Sequence, residues 1–393
     1  MNTVNDKFPF NDPVIVVIIG GGFAGLSVVK GLCKKSADLK IILIDIKLTF
    51  DFLPALPDVV SQNISSQFLQ ADLTELSRRW NFEFICEEVK AVSLVDKCVS
   101  ISNRTIVFDF LVVASGSQTN FYGHDNLKQN CLVFDTIHDA LVLSEKCADP
   151  QWKNIIIAGG GYTGVELSSQ VCAFIQRKRL NKKVLLLIRS DNPFQFLKQN
   201  QNKYTYNVLS KSGVDIRLKT EVKNIHDGRV ELNTGEVIEN ALTVWTAGVK
   251  TPEFIWNMGV PITEQGRIMV NKQLLFADYC FAAGDSSAFE HQGNFLRMAV
   301  HFSCMEGLLI AQNILRIIKG LPLKEYKPFD LGYVLPLANS QACGIILGIS
   351  VWGRIPLFLH YFMCIVKTLG WRKKWGIFKE LIIHLRTYEK TFS

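Results

Sequence analysis

Six glycines fall in two sets of three with one spacing. Gly20, Gly22 and Gly25 follow the β-branched run at 14–19, and Gly159, Gly161 and Gly164 follow a similar run at 154–158. The first glycine of such a set permits a tight turn out of a strand. The second lets the backbone approach a pyrophosphate, and the third lets helix and strand pack closely. The pyrophosphate then meets a helix N-terminus, where free N–H groups and the dipole favour negative charge. One set alone is a weak signal, because a glycine-rich turn without ligand can look the same. Two sets, each placed strand–turn–helix, point to two dinucleotides on one chain and to electron transfer between them.

A ribose-binding acid is expected at the end of the next strand, about 20 residues on. The apolar run at 40–45 ends in Asp45 and meets this requirement. The run at 184–188 instead ends in Ile188, followed by Arg189 and Ser190. Arg189 either pairs with a 2′-phosphate and favours NADPH, or is a solvated residue at a strand end.

These residues need parallel α/β units to hold them. Residues 14–48 and 154–189 each read as strand, helix, strand. Short strands are expected at 82–86, 89–94, 97–102 and 107–114, the last running into Ala114 and Gly116. Further strands are expected at 215–218, 229–232 and 241–246. Another strand runs into Gly284 and Asp285 ahead of a helical stretch at 298–318. The order predicts two Rossmann-like dinucleotide-binding domains, the second inserted in the first. The first comprises residues 1–148 and 271–322, the second 149–270, and 323–393 form a C-terminal region.

At 393 residues the chain is long enough for two or three domains and a large core. Its 43 basic and 36 acidic residues give a net charge of +7, too mild to imply nucleic acid, and no nucleic-acid motif is present. Ten scattered cysteines without a C-x-x-C pair read as reduced intracellular thiols. The seven histidines show no ligand spacing, so no metal site is expected. The polar N-terminus lacks the basic and apolar regions of a signal peptide. The uncharged stretch at 331–353 carries Pro336, Gln341 and many glycines, which argues against a membrane span.

In the C-terminal region, Trp371, Trp375, Phe378, Ile382 and Leu385 share one helical face, with Arg372, Lys373, Lys379, Glu380 and Arg386 on the others. An apolar run at 355–366, too short to span, precedes them. This is the pattern of an amphipathic helix lying in a membrane surface. The alternative is a dimer interface or a helix docked on the protein's own core.

With these residues in place, nearly the whole chain resembles the two-dinucleotide flavoproteins, and among them the type II NADH dehydrogenases, the single-chain NADH:quinone oxidoreductases. Four blocks carry the resemblance: 19–26, 158–167 with its Gly-Val-Glu, 244–249 with Thr-Ala-Gly-Val, and 281–285. The resemblance implies FAD on the first glycine set. Gly20, Gly22, Phe23, Ala24 and Gly25 would face its pyrophosphate and Asp45 its adenosine ribose. Val89 would lie near the adenine, Ala114 and Gly116 near the middle of the cofactor, and Gly284 and Asp285 at the ribityl chain. The helix after Arg297 would aim its N-terminus at the flavin. NAD(P)H would lie on Gly159, Gly161, Tyr162, Thr163 and Gly164, with Arg189 at the strand end. Glu166, Ala247 and Gly248 would lie near the nicotinamide. Glu166 also has a plain reading, as an acid favoured by the dipole in the first helical turn. Asp285 has one as a turn cap.

The chain departs from that family at two places. The acid usual at the Ile188 position is missing, and the family's Ala-Gln-x-x-x-Gln stretch near the quinone is replaced by Val300, His301 and Met305. His301 either takes over a polar quinone contact or packs on its helix. The reading that follows is a peripheral flavoenzyme on the cytoplasmic face of the inner (cell) membrane. It takes a hydride from NAD(P)H onto FAD and delivers two electrons to a membrane quinone without pumping protons, with a homodimer possible because the apolar tail needs cover. Two alternatives stand beside it. A sulfide:quinone oxidoreductase would use cysteines such as Cys172, Cys304 or Cys343. A non-catalytic flavin-binding sensor or interaction protein would need no turnover. Cys33 stands alone after the first helix, which disfavours a disulfide reductase.

Overall fold

The computed structural model describes residues 13–33, 39–338 and 340–391, with side chains to 382. The N-terminal segment, Leu385 and Arg386 therefore lie outside the described side chains. Contacts group the chain into two compact units. One contains residues 1–50, 71–118 and 249–330. The other contains 51–70, 119–248 and 331–393.

The first unit is built on a six-stranded sheet in the order Leu275–Ala277, Cys280–Ala282, Phe110–Val113, Val14–Ile19, Leu39–Asp45, Glu83–Cys86. Every pairing except that of the first two strands is parallel. Val16 to Ile19 and Ile41 to Ile44 are all buried, as near-continuous β-branched and leucine runs covered on both faces should be. Helix Phe23–Cys33 packs on helix Val300–Ile318 at very short range. A Cβ on Gly307 would stand 2.4 Å from the Ala24 carbonyl oxygen, and one on Gly31 would stand 2.5 Å from Ala311 Cβ. The opposite face of the sheet is filled by Val99, Ile106, Phe108, Phe254 and Ile255.

The expected strand at 107–114 is in fact two, Thr105–Val107 and Phe110–Val113. Asp109 causes the break. Its carboxylate accepts a bond from Ile15 N at 2.8 Å, and its own N–H donates to Ile15 O at 2.9 Å. That exchange moves the chain from an outer antiparallel ribbon into the parallel sheet.

The second unit repeats the plan with four parallel strands in the order Val214–Leu218, Lys183–Ile188, Asn154–Ala158, Ala241–Trp245. Helix Tyr162–Arg177 crosses over between Asn154–Ala158 and Lys183–Ile188, the right-handed connection expected of parallel strands. The uncharged stretch of the C-terminal region folds as an antiparallel three-stranded sheet, Gly332–Leu337, Gln341–Ile346 and Ile349–Gly353. Among the described residues no helix is long and apolar enough to cross a membrane.

Two helices close the chain, Arg354–Lys367 and Trp371–Thr391. The second is docked within its unit by Glu380, whose carboxylate accepts from Ser65 N at 2.7 Å, and by Gly376, which lies against the Phe68 ring. Leu357, Cys364, Ile377 and Leu381 point inward. Ile355, Phe358, Leu359, Phe362 and Val366 point out, as do Trp371, Trp375 and Phe378. The large apolar side chains are thus on the exposed face, the reverse of a helix packed only on its own core.

Candidate functional site

The two glycine turns are built the same way, each by a steric requirement. Gly20 has φ +106° and Gly159 φ +129°, a region that side chains disfavour. A Cβ on Gly20 would meet the Ala114 carbonyl oxygen at 2.2 Å, and one on Gly159 would meet the Thr246 carbonyl at 2.7 Å. Each turn is therefore pressed against the end of the neighbouring parallel strand. A Cβ on Gly25 would fall 1.9 Å from Gly20 O, and on Gly164 1.8 Å from Gly159 O. These contacts hold each helix N-terminus tight on its strand. The middle glycines, Gly22 and Gly161, have nothing within 4 Å of a Cβ. Their open side is the direction from which a pyrophosphate would approach, so both turns fit the group that the sequence implies.

The first turn opens onto a cleft of about 480 Å³ lined by Gly20, Asp45, Val89 and Ser115, among others. Asp45 is fixed by two backbone donors, Gly21 N at 2.6 Å and Lys47 N at 2.8 Å. Fixed in this way, it presents an acceptor at the cleft wall. Beyond Ala114 the chain is tied to the Gly284–Ser286 turn. Gly116 N donates to Ser286 Oγ at 2.8 Å, and Ser117 Oγ donates to Asp285 Oδ2 at 2.9 Å. Burial pushes the Asp285 carboxyl up, while the Ser117 hydroxyl and the Arg267 charge pull it back.

Glu306 sets the shape of this turn, and nothing in the linear motif announces it. Its carboxylate accepts from Gly284 N at 2.7 Å and from Ser287 Oγ at 3.2 Å. Burial raises it to about 7 against those hydrogen bonds. The available signal was the single carboxylate of helix Val300–Ile318. His301, one turn earlier, is half-buried, and its Nε2 lies 2.9 Å from Phe329 O.

The second turn opens onto a larger cleft of about 770 Å³. Gly159, Gly161, Arg189, Ala247 and Gly248 all line it. Tyr162 does not. Its ring lies 3.9 Å from that of Phe196, tilted by 35°, and meets Tyr333 edge-on at 5.2 Å, which anchors the helix start. Thr163 is exposed on the same turn.

Glu166 differs from the sequence expectation in one respect. The helix begins at Tyr162, so Glu166 is its fifth residue, and the first turn carries no acid. The dipole reading therefore does not apply. Glu166 is also not among the residues lining the nucleotide cleft. Burial raises its carboxyl well above the ordinary range, and the Asp58 charge adds to that. Asp58 is itself raised to about 6 by burial, against bonds from Tyr361 Oη at 2.8 Å and Asn63 Nδ2 at 3.3 Å. A lone acid in the apolar segment Leu56–Val60 was the only sequence sign of this cluster.

Two of the three thiols raised as alternatives are occupied in structural contacts. Cys172 Sγ donates to Ser212 O at 2.6 Å, with burial lifting the thiol to about 11. Cys343 Sγ lies 3.1 Å from Thr205 Oγ1. Such groups are poor nucleophiles at neutral pH. Cys304 is half-buried on helix Val300–Ile318.

Comparison with known proteins adds to this geometry. The family model described as pyridine nucleotide-disulphide oxidoreductase matches residues 14–303. A demethylphylloquinone reductase, NdbB, of Synechocystis is 26% identical over 377 residues, covering 91% of this chain and 93% of that protein. A type II NADH:quinone oxidoreductase of Haemophilus influenzae is 23% identical, covering 87% of this chain and 88% of that one. Among solved structures, NDH2 from Plasmodium falciparum in complex with NADH superposes with a TM-score of 0.84 at 15% identity, over 94% of this chain and 98% of that one.

Two outcomes test the site. Gly20→Val should purify without FAD, whereas Gly159→Val should keep FAD and lose nucleotide binding. Flavin absorbance and nucleotide titration measure both, and retention of FAD by Gly20→Val would contradict the assignment. The second concerns Glu306. Its folded value is raised from 4.5 to about 7. In that interval the folded protein holds a proton that the unfolded chain has released, so stability falls as pH rises. The thermal midpoint should fall across this window, and Glu306→Gln should flatten the decline. An unchanged slope would count against it.

Proposed function

The chain belongs to the pyridine nucleotide-disulphide oxidoreductase family, and from that premise we propose that this oxidoreductase passes electrons from NAD(P)H, by way of FAD, to a membrane quinone without pumping protons. The observation that carries the reading is the pair of glycine turns, each pressed on the backbone at the end of a neighbouring strand and each open at its middle glycine. FAD supplies a carrier that accepts a hydride and hands on two electrons. The balance is NAD(P)H, a proton and a quinone giving NAD(P)⁺ and a quinol.

The chain's own residues bind and orient. Gly20, Gly22, Phe23, Ala24, Gly25, Asp45, Val89, Ala114, Gly116, Gly284 and Asp285 form the FAD site. Gly159, Gly161, Tyr162, Thr163, Gly164, Arg189, Ala247 and Gly248 serve NAD(P)H. Tyr162 acts by holding the helix start through Phe196 and Tyr333. Glu166, with its raised carboxyl, is a proton-holding group. His301, at the start of helix Val300–Ile318, serves the quinone end. The FAD-binding part is drawn mainly from residues 1–148 and 271–322, with Glu253 also lining its cleft, and the NAD(P)H-binding part mainly from 149–270, with Tyr122 and His124 also lining its own; 323–393 are the membrane-associating part. The relatives named as quinone oxidoreductases support the choice of acceptor.

The exposed apolar side chains of helices Arg354–Lys367 and Trp371–Thr391 support a peripheral membrane location, proposed as the cytoplasmic face of the inner (cell) membrane. Phe358 is 54% and Phe362 60% exposed, and Arg372 and Lys379 flank the Trp375 face. Aromatic residues with basic neighbours suit the headgroup boundary. A homodimer covering the same face is the competing arrangement.

One anaerobic experiment tests the whole reading. NAD(P)H should bleach the flavin's visible band, and quinone dissolved in lipid vesicles should restore it. Phe358→Ser with Phe362→Ser should leave bleaching intact and slow recovery from vesicle quinone severalfold. No bleaching by either nucleotide, or bleaching by sulfide alone, would overturn the reading.

A further inference from the structure

We propose that the second glycine turn selects a 2′-phosphorylated nucleotide, NADPH over NADH, by replacing a ribose-binding carboxylate with Ile188 and offering Arg189 and Lys223 to the phosphate. The proposal rests on the reading that this cleft holds NAD(P)H.

The two turns provide an internal comparison. In the first sheet Ile19 pairs with Ile44, which sets Asp45 beside Gly20. In the second Ala158 pairs with Leu187, which sets Ile188 beside Gly159. Ile188 is therefore Asp45's counterpart in register. The spatial match agrees. A Cβ on Gly21 would lie 3.3 Å from Asp45 Oδ2, and one on Gly160 would lie 2.9–3.0 Å from three carbons of Ile188. Where the first turn has a carboxylate bonded to its glycine N–H, the second has a buried hydrocarbon, 4% exposed. A ribose 2′-hydroxyl gains no acceptor from Ile188. A 2′-phosphate meets no repelling carboxylate there either.

The charges of the two clefts are opposed. Asp45, Glu87, Glu88 and Glu253 line the first against Lys90 alone. Arg189 and Lys223 line the second against Glu221 alone. Arg189 is 89% exposed in its side chain and reaches Glu221 at 3.7 Å. Lys223 is 67% exposed and 3.4 Å from Glu231. Such exposed pairs are weak and easily exchanged for a dianion, with which a guanidinium can form two parallel hydrogen bonds.

The strand end that carries Arg189 is firmly held. Thr220 N donates to Ile188 O at 3.1 Å, and Lys219 N donates to Ser190 O at 3.2 Å. The Ser190 hydroxyl accepts from Asn192 N at 2.9 Å and from Gln195 Nε2 at 2.6 Å, and donates to Asn192 O at 2.9 Å. With its proton committed to that turn, Ser190 acts as a positioning residue. The phosphate contact falls to the two cations.

Calorimetry on the FAD-loaded full chain separates the possibilities, with adenosine 2′,5′-bisphosphate and 5′-AMP as probes. The bisphosphate should bind about ten-fold tighter or more. Arg189→Gln should shrink the difference, and Arg189→Gln combined with Lys223→Gln should abolish it, the loss falling on the bisphosphate. Arg189→Gln combined with Ile188→Asp should reverse the preference between NADPH and NADH. Equal binding of the two probes, or a preference that survives loss of both Arg189 and Lys223, would overturn the proposal. So would a preference for NADH that Glu221→Gln removes, since Glu221 would then be the ribose acceptor. If NADH and NADPH bleach the flavin equally well, the oxidoreductase reading stands and this selectivity falls. If no nucleotide or fragment binds, both fall.

Discussion

Two close approaches that only a residue without a Cβ permits govern this molecule. At Gly20 the first turn presses on the carbonyl that ends a neighbouring strand, and at Gly159 the second turn does the same. Neither contact can be relieved by rotating a side chain, because both partners are backbone, and overpacking of this kind costs about 1–3 kcal/mol or more. The approach fixes where each helix starts, and Gly25 and Gly164 then lock that helix onto its strand. Everything chemical in the protein is positioned from those two helix ends. The residues that line the two clefts come largely from strand ends and loops, while the sheets beneath are packed hydrocarbon.

On that shared frame the two sites diverge through what the next strand presents. Asp45 is held by Gly21 N and Lys47 N, so its acceptor face is already fixed. Ile188 in the same register packs on Gly160, and the side chains of Arg189 and Lys223 stand exposed in that cleft. A rigid carboxylate suits a resident cofactor that stays bound. Exposed cations suit a substrate that must arrive and leave.

The two-turn architecture was legible in the sequence because it is local. Gly-x-Gly-x-x-Gly, the β-branched strand before it and the acid after it all lie within one strand–helix–strand unit. Val89 and the Ala247–Gly248 pair could be named only through resemblance to a family, since they reach their clefts from distant segments, and Asp285 meets Ser117 from as far away. Glu306 and Asp58 escaped for a related reason. Each is a single acid in an apolar stretch, and its partners, Gly284 N for one and Tyr361 for the other, are far away in the chain. Glu166 was misplaced by one helical turn because the helix starts at Tyr162. The strand at 107–114 was read as continuous because Asp109's partner, Ile15, lies near the other end of the chain segment.

The central claim is that one chain holds two different dinucleotides on two equivalent turns. Native mass spectrometry of the purified protein tests it most directly. The account predicts one FAD per chain as isolated, and one further nucleotide mass per chain on addition of NADP⁺, with FAD retained. A chain that carries no flavin, or whose added nucleotide displaces the flavin, would contradict it.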